Sequence, residues 1–160
     1  MLFRSEKRTN AVSGAAVNLE NDDLDLEVSF SYTGFADTVI GGGYSFANEA
    51  ASANEVDTLN IHASRSFGKF LVAGEYIESQ QDSGDLDAYM VLVDYDYNDK
   101  IGAAIRFSNN ETGANTEYDK LTIAPNYQIS DNLGAILEFS DIDNAGAKSE
   151  EIALEVTYTF

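Results

Sequence analysis

From residue 24 onward the chain is a succession of segments in which apolar and polar side chains alternate one for one. Segment 151–160 does so without a break, with Ile152, Leu154, Val156, Tyr158 and Phe160 on one face and Glu151, Ala153, Glu155, Thr157 and Thr159 on the other. A period of two is the repeat of a β-strand, whose successive side chains point to opposite faces. The same alternation predicts strands at 133–140, 120–129, 100–109, 86–97, 69–78, 57–67, 38–47 and 24–33. Their apolar faces read, for example, Ile101, Ala103, Ile105, Phe107, or Leu24, Leu26, Val28, Phe30, Tyr32. A weaker alternating segment at 11–19 predicts a tenth strand.

The connections alternate as well. Short ones lie at 34–37, 68–69, 98–99 and 130–132, and longer, acidic, Gly- and Asn-rich ones at 47–56, 79–86, 109–117 and 141–150. Counted back from Phe160, every short turn falls at one end of the strands and every long loop at the other. That asymmetry, with strands of about 9–11 residues, is the pattern of a β-barrel crossing a bilayer at a tilt. Aromatic residues gather near strand ends, at Phe30 and Tyr32, Phe67 and Phe70, Tyr95 and Tyr97, Tyr127, Tyr158 and Phe160, as in the girdles at a membrane interface. The competing architecture is a soluble β-sandwich, which alternates for the same reason but leaves those aromatics without a role. The expected fold class is all-β: an antiparallel transmembrane β-barrel with nine to ten strands present.

Composition narrows the chemistry. There is no cysteine, which removes disulfides and thiolate metal sites. No apolar run reaches the ~18 residues of a membrane helix. Asp plus Glu number 28 against 9 Lys plus Arg, a formal charge of -19, and so acidic a surface excludes nucleic acid as a partner. A solvated acidic surface suited to a salty habitat is a second reading of the same balance.

If the apolar faces meet lipid, the opposite faces line an interior. The pore-lining residues expected on that basis are Glu27, Asn60, His62, Glu75, Asp94, Asp96, Arg106, Lys120, Asn126, Glu138 and Glu155. Carboxylates around an aqueous lumen attract cations; in a narrow barrel the same charges would pair across a filled interior. Gly102, Ala104, Ala124 and Gly134 fall on the inward face and leave space there. The single histidine, His62, has Asn60 and Ser64 beside it and no carboxylate expected at its own level, so no triad, catalytic residue or enzymatic activity is expected. No triplet of ligands has metal-site spacing, and Asp141-Ile-Asp-Asn144 only weakly resembles a calcium loop. Neither a metal nor a cofactor is therefore expected. Gly41-Gly-Gly43 precedes no helix and is no phosphate cradle; a bulge, a bend, or a close approach of a neighbouring surface such as a subunit contact is expected there. Pro125 lacks a ladder donor and predicts a local irregularity.

A terminal Phe160, with Tyr158 two residues earlier and aliphatics at alternate positions before it, resembles the C-terminal strand of Gram-negative outer-membrane β-barrels. The chain as a whole resembles the C-terminal part of a proteobacterial general-diffusion porin. Arg8-Thr9-Asn10-Ala11-Val12 loosely resembles the Arg and Asn-Ser/Ala-Val segment that many such porins carry after their constriction loop. The resemblance implies a bacterial outer-membrane location and a sixteen-stranded, usually homotrimeric barrel passing small hydrophilic solutes. It also implies contact with outer-membrane lipid and lipopolysaccharide, and reading of Tyr158 and Phe160 by the barrel-assembly machinery as an assembly signal. Met1-Leu-Phe-Arg-Ser-Glu-Lys-Arg8 shows no secretion signal, and residues 1–5 match one reading frame of a common sequencing adapter with a GTG initiator. Residues 1–5 are accordingly expected to be non-native, 6–160 to be the C-terminal part of one barrel domain, and the constriction loop to lie upstream. The alternative is a small complete barrel of eight to ten strands with a structural, adhesion or surface-recognition role, its long acidic loops serving as recognition surfaces.

Overall fold

The computed structural model describes residues 2–6, 25–49, 54–81, 84–113 and 116–160. They form one antiparallel sheet of ten strands in which every strand is hydrogen-bonded to its neighbours in sequence. The strands are β1 (Leu2–Glu6), β2 (Asp25–Tyr32), β3 (Thr38–Glu49), β4 (Asn54–Phe67), β5 (Phe70–Gln81), β6 (Leu86–Asn98), β7 (Ile101–Thr112), β8 (Thr116–Ser130), β9 (Leu133–Asn144) and β10 (Ala147–Tyr158). The tenth strand is thus Leu2–Glu6; the segment 11–19 lies outside the described residues.

Register keeps like with like. Ile61 stands opposite Gly42 and Tyr76, Val93 opposite Val72 and Ile105, Ile123 opposite Ile105 and Phe139, and Leu154 opposite Leu137. One face of the sheet is therefore apolar from strand to strand, and it stays open: Ile152 is 74% and Leu154 69% exposed. The buried side chains, among them Thr122, Ser79, Ser140, Ala124 and Ile142, all sit on the other face, because the sheet curls toward it as a barrel wall does. A continuous exposed apolar face of this size has no stable counterpart in water. In hydrocarbon it needs no cover, provided each backbone donor and acceptor is paired within the sheet.

The long loops expected from the sequence are mostly strand. β3 runs to Glu49, β5 to Gln81, β7 to Thr112 and β9 to Asn144, so these strands are 12 residues long and β8 is 15. That exceeds the ~9–11 residues needed to cross, and the excess is ladder built mostly from polar residues, with apolar exceptions such as Leu86 and the buried Ile142. Hydrogen-bonded pairing satisfies the backbone whether or not the side chains are buried, which is why polarity alone misread these segments as loop. The surface available for recognition shrinks to hairpin tips. Asp141–Asn144 is likewise strand rather than a calcium loop; Asp143 accepts a hydrogen bond from the Gly146 N–H at 2.8 Å.

Gly41–Gly43 forms no bulge, since β3 keeps an unbroken register with both neighbours there. The register shifts instead between Asp96 and Asn98 and between Gln128 and Ser130, both beside short turns. Pro125 pairs with Ala103 on β7, but the β8–β9 ladder skips from Ile123 to Asn126, the interruption its missing N–H requires.

The β9–β10 turn places Ala145 at φ 50 and Gly146 at φ 89, the twist of a primed hairpin turn, which favours Asn-Gly. Ala145→Asn is expected to stabilise the protein by about 0.5–1 kcal/mol and Gly146→Val to cost about 1–2 kcal/mol. Urea unfolding in lipid vesicles, followed by the gel-mobility shift of the folded form, checks both.

Candidate functional site: the polar face of the sheet

Pleating and register bring the eleven residues expected to line a pore onto one face. Glu27 lies opposite Ser45, Asn60 opposite Gly43, His62 opposite Gly41, and Asp94 and Asp96 opposite Ala104 and Gly102. Across β7 and β8, Arg106 faces Thr122, Lys120 faces Ser108 and Asn126 faces Gly102; Glu138 and Glu155 follow on β9 and β10 opposite Ala153 and Ile136.

His62 is better connected than its sequence neighbours indicate. The side-chain amide of Asn60 donates to Glu75 Oε1 at 2.6 Å, which leaves its oxygen to accept from His62 Nδ1 at 3.1 Å. Contrary to the sequence reading, a carboxylate does stand at the level of the imidazole: Glu75 is directly opposite His62. The reason is hairpin geometry, since the Gly68-Lys69 turn pairs Phe67 with Phe70 and every later pair follows. The ring lies over Gly41, where an added Cβ would come within 2.4 Å of Nε2. Glycine is needed there for close approach, not for a bend. A cleft of about 650 Å³ opens beside it, lined by Glu27, Ser29, Thr58, Asn60 and His62 and also by Val28, Phe30 and Tyr44. No hydrogen bond joins His62 to Ser64 among the described residues; the imidazole is instead tied through Asn60 to Glu75.

Farther along, Lys120 reaches over β9 to Glu151 at 2.8 Å, and Arg106 stands 4.0 Å from Glu138. Thr122 and Ser140 share a hydroxyl hydrogen bond of 2.9 Å beneath them. The lining is not uniformly polar: Leu71, Ala73 and Ile77 on β5 lie opposite Asp94, Leu92 and Ala88 on β6, so an apolar strip runs down this part of the wall. At its edge the Oδ1 of Asp94 is buried with no hydrogen-bond partner. Among the described residues no group of three or more His, Cys, Asp or Glu is placed to hold a metal ion.

The apolar face is closed off at both ends by aromatics. At the hairpin end Tyr44 and Tyr76 donate to Asp57 and Asp87 at 3.0 and 2.7 Å. At the short-turn end Phe67, Phe70 and Tyr95 form a contiguous ring cluster, with centroids 5.9 and 4.7 Å apart, and Tyr158 lies 6.5 Å from Phe160. From Phe67 to Asp57 along β4 the tilted strand climbs about 25 Å, the height of a barrel's apolar band. The chain end is anchored there too, as Asn132 donates to Thr159 O at 2.8 Å and accepts from its N–H at 2.9 Å.

An apolar outer face between two aromatic girdles, backed by a polar inner one, defines an outer-membrane β-barrel. The profile of the Gram-negative porin family matches residues 2–147, and the chain belongs to that family. Its place is the bacterial outer membrane. Solved structures share the fold. A loop-L8 deletion mutant of OmpT, an outer membrane protein of Vibrio cholerae, aligns with a TM-score of 0.68 at 15% identity over 88% of this chain and 55% of its own. Salmonella typhi OmpF, solved in complex with daunomycin, aligns with a TM-score of 0.66 at 10% identity over 84% of this chain and 50% of its own. The chain thus spans about half the length of these structures. No curated protein matches it in sequence.

Because His62 is the only histidine, its environment has a clean chemical readout. Gly41→Ala is expected to push the ring off the wall and break its bond to Asn60, raising the rate of His62 modification by diethyl pyrocarbonate several-fold while lowering stability by only about 1 kcal/mol.

Proposed function

We propose that the polar face lines a water-filled channel through which small hydrophilic solutes diffuse passively, with cations preferred over anions. One observation carries this reading. Register gathers Glu27, Glu75, Asp94, Asp96, Glu138, Glu151 and Glu155 on one face, where the described side chains supply Arg106 and Lys120 as the permanent cations and His62 as the one imidazole. Both bases stand beside a carboxylate, whereas Asp94, Asp96 and Glu155 form no ion pair with a described residue. A lumen with such a surplus concentrates cations and repels anions. The channel needs no catalytic group.

The complete protein is proposed to be a sixteen-stranded homotrimer in contact with lipid and lipopolysaccharide, with Tyr158 and Phe160 presented to the assembly machinery. A structural barrel without conductance is the second reading, and the apolar strip at Leu71, Ala73 and Ile77 favours it, because such a strip suits a filled interior.

Planar-bilayer recording separates the two. Stepwise openings with a reversal potential favouring K⁺ over Cl⁻ are expected, and a silent protein would sink the channel. Asp94→Asn, Asp96→Asn and Glu155→Gln together are expected to move the reversal potential toward zero. Lys120→Gln is expected to move it the other way, with a stability change below about 1 kcal/mol because the ion pair is partly exposed.

A further inference from the structure

The apolar face carries a basic side chain that neither the barrel nor the channel explains. Arg65 lies opposite Thr38 and Val72, so it leaves the sheet on the same side as Ile61, Ala63 and Phe67. It is exposed and makes no hydrogen bond or ion pair among the described residues. The next residue on its face, Phe67, belongs to the short-turn girdle, which puts Arg65 one outward position, about 5 Å, inside that girdle. Basic side chains on a lipid-facing wall reach for the interface along their apolar stems. The anion waiting there is a lipid phosphate, which a guanidinium grips through paired hydrogen bonds.

A second observation lies immediately above. Ala63 pairs with Gly74, and these short residues floor a cleft of about 510 Å³ walled by Ile40, Ile61, Tyr76 and Val91. Packing does not demand the glycine, since a Cβ at Gly74 would meet only the Met90 carbonyl at 3.6 Å. Its effect is to leave the cleft open.

We propose that Arg65 and the Ala63–Gly74 cleft bind one acidic phospholipid of the periplasmic leaflet, its phosphate on the guanidinium and an acyl chain along the cleft. Depth selects that leaflet: Arg65 lies beside the short-turn girdle, and short turns face the periplasm in such barrels, while Asp57, Glu78 and Asp87 occupy the apolar face at the opposite end, about 20 Å away. The site depends on which face meets lipid and not on conduction, so it stands or falls separately from the channel.

The test is native mass spectrometry of the protein released from nanodiscs holding equal amounts of phosphatidylglycerol and phosphatidylcholine. The wild-type protein is expected to retain phosphatidylglycerol over phosphatidylcholine about fivefold or more, a comparison that requires no variant. Arg65→Gln is expected to erase the preference while leaving total lipid retained, and Gly74→Leu to reduce retention of both lipids. Equal retention of the two lipids by the wild-type protein overturns the proposal, as does an undiminished preference in Arg65→Gln. So do displacement of phosphatidylglycerol by lipid A, which would move the site to the other leaflet, and loss of an oligomer in Arg65→Gln with lipid retention unchanged, which would give the face to a second copy.

Discussion

The structure depends on one constraint: in hydrocarbon every backbone N–H and C=O must find its partner within the protein. A meander of antiparallel strands meets it with local connections, each strand pairing with the one before and the one after. Once pairing is fixed, the pleat allows a side chain only two destinations, and parity along each strand decides between them. A residue at an even position in β8 is committed to the same face as its even partners in β7 and β9. The apolar girdled wall and the polar lining are therefore two consequences of one hydrogen-bond ladder, and a one-residue slip would exchange them. The bulges near Asn98 and Ser130 fall beside the short turns, where a local slip disturbs few pairs.

What parity controls was legible in the sequence. Every residue expected to face inward, from Glu27 to Glu155, shares one face, and the short turns stand where Gly68-Lys69 and Asp131-Asn132 mark them. Lateral relations were harder to see. That Glu75 stands across from His62 follows from hairpin arithmetic, but only once the turn is known to leave Phe67 facing Phe70. Strand ends toward the hairpin tips were hidden for a different reason: hydropathy reports a continuous apolar face, and the ladder above the membrane has none to report. Gly41 was ambiguous because glycine signals backbone freedom and close approach alike, and only the imidazole across the pair tells which applies.

Arg65 shows the limit from the other side. In a listing of outward residues it is an exception among Leu59, Ile61 and Phe67, easily passed over because the remaining pattern is so regular. Its meaning comes from depth, which requires the girdle at Phe67 and Phe70 to be located first. The same charge on the polar face would be one more partner for a carboxylate, as Arg106 is for Glu138. On the apolar face no described residue pairs with it, which is why a lipid headgroup is proposed as its partner.

The edges of the sheet carry the argument to the bore. β10 pairs with β9 and β1 with β2, and neither has a second described partner. An unpaired edge in lipid leaves a row of donors and acceptors unsatisfied at several kcal/mol each, so the wall must close. The width at which it closes governs the lining. A narrow closure would pack side chains across the interior, which suits Leu71 and Ile77 but requires Asp94, Asp96 and Glu155 to find cationic partners across it, since burying them unpaired costs far more than leaving aliphatics wet. A wide closure wets the carboxylates and leaves only the strip beside Asp94 to be covered. On the proposed reading of the polar face as a hydrated lining, the surplus of carboxylates over Arg106 and Lys120 weighs more than the strip and favours the wider closure.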